Sequence, residues 1–360
     1  MSKINEERKI NLNTVVDLVF PVVSVILSLI IGMFIIWAAN KSPLTAYKAL
    51  FLGAFGDLNA LGNTLSRATP LIFTGLGVAI AFKCGLFNIG VEGQLLVGAI
   101  AASIIGHYVT FLPGNLHIVV TILGAIIAGA LWGLIPGLLK AYRGVHEVLI
   151  TIMMNYIAIS LTSFTVEKLR ETGVPRTPEI LDSAKFTRFS AIFSKAFGES
   201  TVSMGFIIAV LTGLLIYIII EKTVLGYELR AVGTSPQAAE NGGIKIGKNT
   251  ILVMLISGAL AGLAGADRVL GEYHSLISGV SAGLGFEGMA VALLVNNNPI
   301  GIIFSGILFG ALASGGLNMS LFAGVPQEIV SMIQALIIFF IASNKFIKDI
   351  VNHRKKEVGA

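Results

Sequence analysis

Three polar side chains lie within or close to long apolar stretches: Glu92, Asn155 and Glu287. A carboxylate in lipid costs several kcal/mol unless it faces a cavity or a partner. These residues therefore either line a polar pathway or bond backbone groups that are freed near broken helix ends, and the sequence leaves both interpretations open. Arg67 and Glu147 lie near the predicted ends of apolar segments, where a long side chain can reach the interface.

No set of residues is spaced as a catalytic or metal centre. The five histidines are dispersed, and Cys84 is the single cysteine, so a thiolate metal cluster and an internal disulfide are excluded. We expect no catalytic residue, no metal site and no cofactor. The histidines are His107, His117, His146, His274 and His353.

Two glycine-rich segments imitate nucleotide-binding motifs. The segment 283–288 has the spacing GxGxxG, but no strand precedes it and no βαβ pattern surrounds it. The segment 242–249, GGIKIGKN, ends in Asn where a P-loop needs a Ser or Thr hydroxyl for Mg²⁺. Neither segment is expected to bind a nucleotide.

The composition is that of a protein whose solvent is mostly lipid. Of the 360 residues, 55% are hydrophobic and 12% are charged, and the mean hydropathy is +0.86, whereas globular domains carry about 25% charge. The net charge of +5 comes from scattered basic residues without a basic stripe, so nucleic acid is not an expected partner. The fold class is therefore an all-α, polytopic membrane protein.

Apolar runs long enough to cross a hydrocarbon core of about 30 Å, or nearly so, predict about ten transmembrane helices. The run at 285–297 is short and fits either a re-entrant or a broken helix. An excess of Lys and Arg in the short loops of one side places both termini in the cytoplasm. The predicted spans are 18–38, 65–82, 89–107, 115–139, 146–166, 203–221, 250–267, 285–297, 299–316 and 325–344.

The predicted domains are a cytoplasmic tail at 1–16, a transmembrane domain at 17–345 and a second cytoplasmic tail at 346–360. The loop 222–248 joins two spans on the cytoplasmic side. Within it Ser235 can cap a short helix that starts at Pro236 and stops at Gly242. Such a helix fits a docking element for a partner, although the bare pattern favours a connecting loop.

Small residues recur at helix-packing spacing, for example at Gly129 and Gly133 and at Gly258 and Gly262. This spacing lets helix backbones approach closely, and we expect packing within the chain, with a subunit interface as the alternative. The segments 85–93 and 283–288 also share a Glu-Gly pair just inside an apolar helix. In the predicted topology these helices run in opposite directions, as an inverted repeat requires.

The order of these motifs resembles the permease subunits of ABC importers for sugars, nucleosides and branched-chain amino acids. The resemblance covers most of residues 15–345. It is closest to nucleoside importers that work with a basic-membrane-protein-type lipoprotein receptor. The motifs are LRAVGTSP at 229–236, GLFNIGVEGQ at 85–94, GVHEVLITIMMNY at 144–156, SGALAGLAG at 257–265 and GFEGMAVAL at 285–293.

This resemblance implies a type II ABC importer fold with a pseudo-symmetric repeat, in the bacterial cytoplasmic membrane. It implies as partners a second homologous permease, an ABC ATPase that hydrolyses the ATP, an extracellular substrate-binding lipoprotein and the bilayer. The implied substrate pathway contains Asn88, Glu92, Asn155 and Glu287. The implied ATPase-coupling residues are Gly226, Arg230, Gly233, Pro236, Ala239 and Gly242.

Nucleosides are the expected substrates, and simple sugars of the ribose or galactose type are the alternative. A second alternative is an ion-coupled secondary transporter, in which Glu92 or Glu287 carries a proton and no ATPase is needed. An intramembrane enzyme would need a nucleophile–base pair or metal ligands in one plane, and the dispersed histidines argue against it.

Overall fold

The computed structural model describes residues 22–170, 174–193, 197–340 and 343, and this part of the chain is mainly helical. The tails predicted at 1–16 and 346–360 lie outside these residues. Among the described residues, β-bridges occur as two isolated pairs. The main helices are α1 (Val22–Ala38), α2 (Pro43–Phe55), α3 (Leu58–Lys83), α4 (Val91–Tyr108), α5 (Gly114–Arg143), α6 (Glu147–Leu169), α7 (Met204–Lys222), α8 (Val224–Thr234), α9 (Pro236–Asn241), α10 (Ile246–Asp267), α11 (Leu284–Leu294), α12 (Pro299–Ala323) and α13 (Gln327–Phe340).

Six of these helices are long and apolar enough to cross a membrane: α3, α5, α6, α7, α12, and α10 with its continuation to Tyr273. The continuation, Arg268–Tyr273, is a π-helix. The chain is therefore a multi-pass membrane protein. Among the described residues each predicted span overlaps a helix, but six helices and not ten meet the length and hydropathy needed to cross. Helices α1, α11 and α13 are shorter apolar helices.

The sequence interpretation missed α2 and placed the start of α3 too late. Ser42 caps α2, because its Oγ accepts from the N–H of Thr45 at 3.4 Å, and Pro43 follows at the first helical position. Asp57 caps α3, accepting from Ala60 N–H at 2.6 Å. Arg67 therefore lies nine residues inside α3, roughly 13 Å along its axis. The helix thus begins seven residues before the predicted span, 65–82.

Basic residues at several helix ends lie on one side of the molecule, here called the basic face. It carries Lys83, Lys140, Arg143 and Lys222 at the ends of α3, α5 and α7, and Lys245 at the start of α10. The loop 174–203 lies on the opposite side. There Leu181 N–H donates to Gly106 O at the end of α4, at 2.9 Å.

Close glycine contacts hold α10 at the centre of the bundle. A Cβ on Gly98 of α4 would lie 2.5 Å from Gly262 Cα of α10, and a Cβ on Gly129 of α5 would overlap Gly258 O of α10. A Cβ on Gly310 of α12 would lie 2.7 Å from Thr64 O of α3. These contacts confirm that the small-residue spacing serves packing within the chain.

The eighth predicted span, 285–297, largely overlaps the short helix α11. We call this helix together with the non-helical residues before it, 274–294, the broken eighth span. Helix α11 has 11 residues, so it extends over roughly 16 Å, about half of the hydrocarbon core. Residues 274–283 precede it without helical structure. Hydrogen bonds to the loop 174–203 fix them, from Thr177 N to Leu276 O at 3.0 Å and from Ile180 N to His274 O at 2.8 Å.

Candidate functional site

Glu92 joins the N-terminal turns of α4 and α11. It is in the first turn of α4 and is buried. Its Oε1 accepts from Ser281 Oγ at 2.5 Å and from Gly283 N at 3.2 Å, and its Oε2 accepts from Gly285 N at 2.7 Å. Two of these donors are backbone groups at the start of α11, which have no partner within their own helix. The carboxylate thus lies at the positive end of the α11 dipole.

Two buried amides complete the start of α4 in the same way. Asn88 Oδ1 accepts from Gly90 N at 3.0 Å, and Asn155 Oδ1 accepts from Gly93 N at 2.9 Å. Asn155 Nδ2 donates to Ile89 O at 3.0 Å, which ties α6 to the turn before α4. Asn88 Nδ2 donates to Ser257 Oγ at 2.8 Å, near the middle of α10.

We call Asn88, Glu92, Asn155, Ser257 and Ser281 the helix-start network. Three of the four predicted pathway residues belong to it, and their side-chain polar groups are occupied by protein partners. A Cβ on Gly285 would overlap the backbone of Glu92, so the two glycine-rich segments meet directly. The network holds two helix starts together at the depth of the middle of α10.

The broken eighth span leaves polar backbone uncovered beside this network. Ser278, Gly279, Ala282 and Phe286 are exposed. Ala282 has a φ of +46°, and it lies between Gly279 at +76° and Gly283 at +86°. A non-glycine residue in the left-handed region is strained, and such strain is concentrated at functional sites. We call the four exposed residues, Ser278, Gly279, Ala282 and Phe286, the uncovered strip.

Glu287, the fourth predicted pathway residue, lies apart from the helix-start network. It lines a cavity of about 330 Å³ between α3, α11, α12 and α13, with Arg67 and Gln334. Glu287 has no hydrogen-bond or ion-pair partner among the described residues. A carboxylate and a guanidinium therefore share one cavity without pairing.

A buried ionic cluster at the π-helix was missed by the sequence interpretation. Arg268 is 5% exposed. It bonds Glu272, Tyr273 Oη at 2.6 Å and Val280 O at 3.2 Å, and its guanidinium lies 4.6 Å from the centre of the Tyr273 ring. These bonds brace the segment that carries the uncovered strip. The i,i+4 spacing of Arg268 and Glu272 just beyond the predicted span was the available signal.

On the basic face, α9 forms as the sequence predicts. Ser235 Oγ accepts from Ala238 N at 3.4 Å, Pro236 is the first helical residue, and Gly242 follows the last. Ala239 is buried. It helps to line a groove of about 620 Å³, here called the basic-face groove. The lining residues are Tyr227, Arg230, Ala231, Thr234, Ser235, Ala238, Ala239, Gly242 and Ile244.

Helix α8 connects this groove to the turn before α4. Arg230 donates to Ile220 O and pairs with Glu221 at 3.4 Å, while Gly226 packs on the carbonyls of Ile219 and Ile220. A Cβ on Gly233 would overlap Lys83 O, and Gly85 lies directly beside Gly233. Of the six predicted coupling residues, Arg230, Ala239 and Gly242 line the groove. The other three, Gly226, Gly233 and Pro236, lie in α8 and α9, the helices that form it.

Comparison with known proteins identifies the family. Residues 60–342 match the model of the branched-chain amino acid transport system permease component. The chain belongs to this permease family. The matched range contains the helix-start network, the uncovered strip and the basic-face groove of the permease. No solved structure matches it.

Relatives of this permease are named as ABC transporter subunits. It is 41% identical to the guanosine ABC transporter permease protein NupP of Bacillus subtilis, over 94% of this chain and 97% of the relative. It is 37% identical to the nucleoside ABC transporter permease protein NupB of Lactococcus lactis, over 94% of each chain. It is 33% identical to the glucose ABC transporter permease protein TsgB13 of Haloferax volcanii, over 91% of this chain and 88% of the relative.

A second permease protein from each of the two bacteria also matches. NupQ of Bacillus subtilis is 29% identical over 75% of this chain, and NupC of Lactococcus lactis is 28% identical over 76% of it. Both bacteria therefore have two proteins of this kind that are related to this chain.

Proposed function

We propose that this permease forms, with a second and different permease, the translocation pathway of an ATP-driven nucleoside importer. The fold would be of the type II importer class, with ten membrane-crossing segments between residues 17 and 345. The eighth would be the broken span 274–294. The segments 85–93 and 283–288 would be equivalent parts of an inverted repeat, since α4 leads away from the basic face and α11 leads toward it.

The observation that carries this proposal is the uncovered strip. Non-helical backbone within a bilayer is tolerated only where protein buries it or where it borders a water-filled cavity. In this chain Ala282 is exposed between Ser281 and Gly283, which both bond Glu92. Ser278 and Gly279 are exposed next to Ile277, which bridges to Arg176 of the loop on the opposite face. A second permease on the other side of a pathway would give the strip such surroundings. Glu287 then faces the pathway, while Asn88, Glu92 and Asn155 hold its wall in place.

The basic face and the opposite face support the proposed positions of the ATPase and the lipoprotein. We assign the basic face to the cytoplasm, because short cytoplasmic loops are rich in Lys and Arg, and this assignment puts both termini inside a bacterial cytoplasmic membrane. The basic-face groove within the loop 222–248 would receive the ATPase. The opposite face, built by the loop 174–203, would receive a substrate-binding lipoprotein.

The substrate class rests on the relatives. Two of the three compared above are named for guanosine or nucleosides, and the third is named for glucose. A simple-sugar ABC permease is therefore the second candidate. An ion-coupled secondary transporter is less favoured, because all three relatives compared above are named as ABC transporter permease proteins.

Reconstitution tests the three candidates together. The permease, its second permease and its ATPase are placed in proteoliposomes with the receptor, and uptake of labelled guanosine, adenosine, ribose and glucose is measured. We expect nucleoside uptake that requires ATP. Uptake of sugars alone would favour the sugar importer, and uptake by this chain alone under a proton gradient would overturn the ABC assignment.

A further inference from the structure

The cavity that contains Arg67 and Glu287 has the composition of a recognition site. Its volume of about 330 Å³ is in the range of small-molecule pockets. Its polar lining consists of Arg67, Glu287, Gln327, Ser331 and Gln334, from three different helices. Arg67 is nine residues inside α3, and Glu287 is in the first turn of α11. Polar side chains of three helices thus meet in one cavity.

These polar groups are not used by the fold. Gln334 is 8% exposed, and it lines the cavity without a hydrogen-bond partner among the described residues. Neither Glu287 nor Arg67 has an ion-pair partner in the same part of the chain. Ionisable residues inside membrane segments usually pair with each other or mark a substrate path. The missing partner is therefore expected on a molecule that enters the cavity.

On the basis of the proposed function, we infer that this cavity recognises the base of a purine nucleoside that presents N–H donors beside a carbonyl acceptor. The Glu287 carboxylate accepts from the N1–H and N2–H₂ groups of guanine, and the Arg67 guanidinium donates to its O6. Both are charge-assisted hydrogen bonds, which are stronger than neutral ones. Adenine has an acceptor at N1, which faces the carboxylate unfavourably. The predicted order is guanosine, then inosine, then adenosine.

The test is a selectivity ratio in the assembled importer. Competing uptake of guanosine and adenosine is measured for the wild type and for Glu287→Gln, with the same receptor in each case. Removing a hydrogen bond to a charged group costs about 1.5–3 kcal/mol, so the guanosine-to-adenosine ratio should fall roughly 10- to 150-fold. Because the receptor is unchanged, the permease must cause this change.

Glu328→Gln is the matched control. Glu328 is an exposed carboxylate on α13, one of the helices that line the cavity, but Glu328 itself is not part of the lining. Its ratio should equal that of the wild type. An unchanged ratio in Glu287→Gln, or an equal loss of both nucleosides, would overturn the inference. If the wild type takes up no nucleoside at all, the proposed function itself is wrong.

Discussion

At the scale of single residues, two carboxylates of similar appearance in the sequence have different surroundings. Glu92 and Glu287 both precede a glycine near the start of an apolar helix. The structure gives Glu92 three hydrogen bonds from the other glycine-rich segment, whereas Glu287 faces a cavity. The two interpretations that the sequence left open therefore divide between the two residues. Glu92 supports the helix starts, and Glu287 is available to a ligand.

This difference predicts opposite effects of the same substitution. Glu92→Gln replaces an acceptor oxygen by an NH₂ group that faces a donor, which should lower the free energy of unfolding by about 1.5–3 kcal/mol. Glu287→Gln should not lower it, because that side chain has no hydrogen bond to lose. The measurement is the Tm of each variant in lipid nanodiscs. Equal Tm values for Glu92→Gln and the wild type would contradict the role of Glu92.

At the scale of elements, most of the fold could be predicted from hydrophobic length. A run of about twenty apolar residues in a bilayer is best accommodated as a membrane-crossing helix, so each predicted span overlaps a helix among the described residues. Helix α2 could not be predicted in this way, since its 13 residues are too few to cross. The cavity was also beyond prediction, because Arg67 and Gln334 are 267 positions apart in the sequence and only the tertiary arrangement of the helices brings them to one cavity.

Helix α9 was predictable because its signals are local. Ser235, Pro236 and Gly242 define its ends without help from distant residues. Its packing against the turn before α4, through Gly233 and Gly85, was not local and could not be predicted. This contact places α8 directly against the turn that leads to α4.

Helix α9 also gives the prediction for ATPase docking. In Ala239→Arg a long charged side chain replaces a buried alanine in the basic-face groove. The larger, charged side chain should fill part of the groove, so we expect weaker ATPase binding and reduced transport, while receptor binding stays intact. The measurement is co-purification of the ATPase together with uptake.

Gln237→Arg adds the same charge to an exposed position of α9 that does not line the groove. It should leave ATPase binding close to that of the wild type. Unchanged transport in Ala239→Arg would count against docking at this groove, and an equal loss in both variants would indicate an effect of charge alone.

At the scale of the whole molecule, the chain has two kinds of exposed surface that need different surroundings. Phe304 is 68% exposed and borders an apolar groove with Val22, Val25 and Leu294, which suits lipid. Ser278 is exposed on non-helical backbone, which lipid does not tolerate. The second permease proposed above would give the uncovered strip the surroundings that lipid does not provide.

Thiol labelling distinguishes these two surfaces. Maleimides react with the thiolate, which forms in water and not in lipid. In the assembled importer we expect Ser278→Cys to react with a water-soluble maleimide and Phe304→Cys to stay unmodified, although both positions are exposed in the isolated chain. The native Cys84 is buried, so it should contribute little background.

A non-hydrolysable ATP analogue should change the rate at Ser278→Cys, because alternating access opens and closes the pathway beside it. Equal labelling at both positions, or no labelling of Ser278→Cys in either state, would show that the uncovered strip does not border a water-filled pathway.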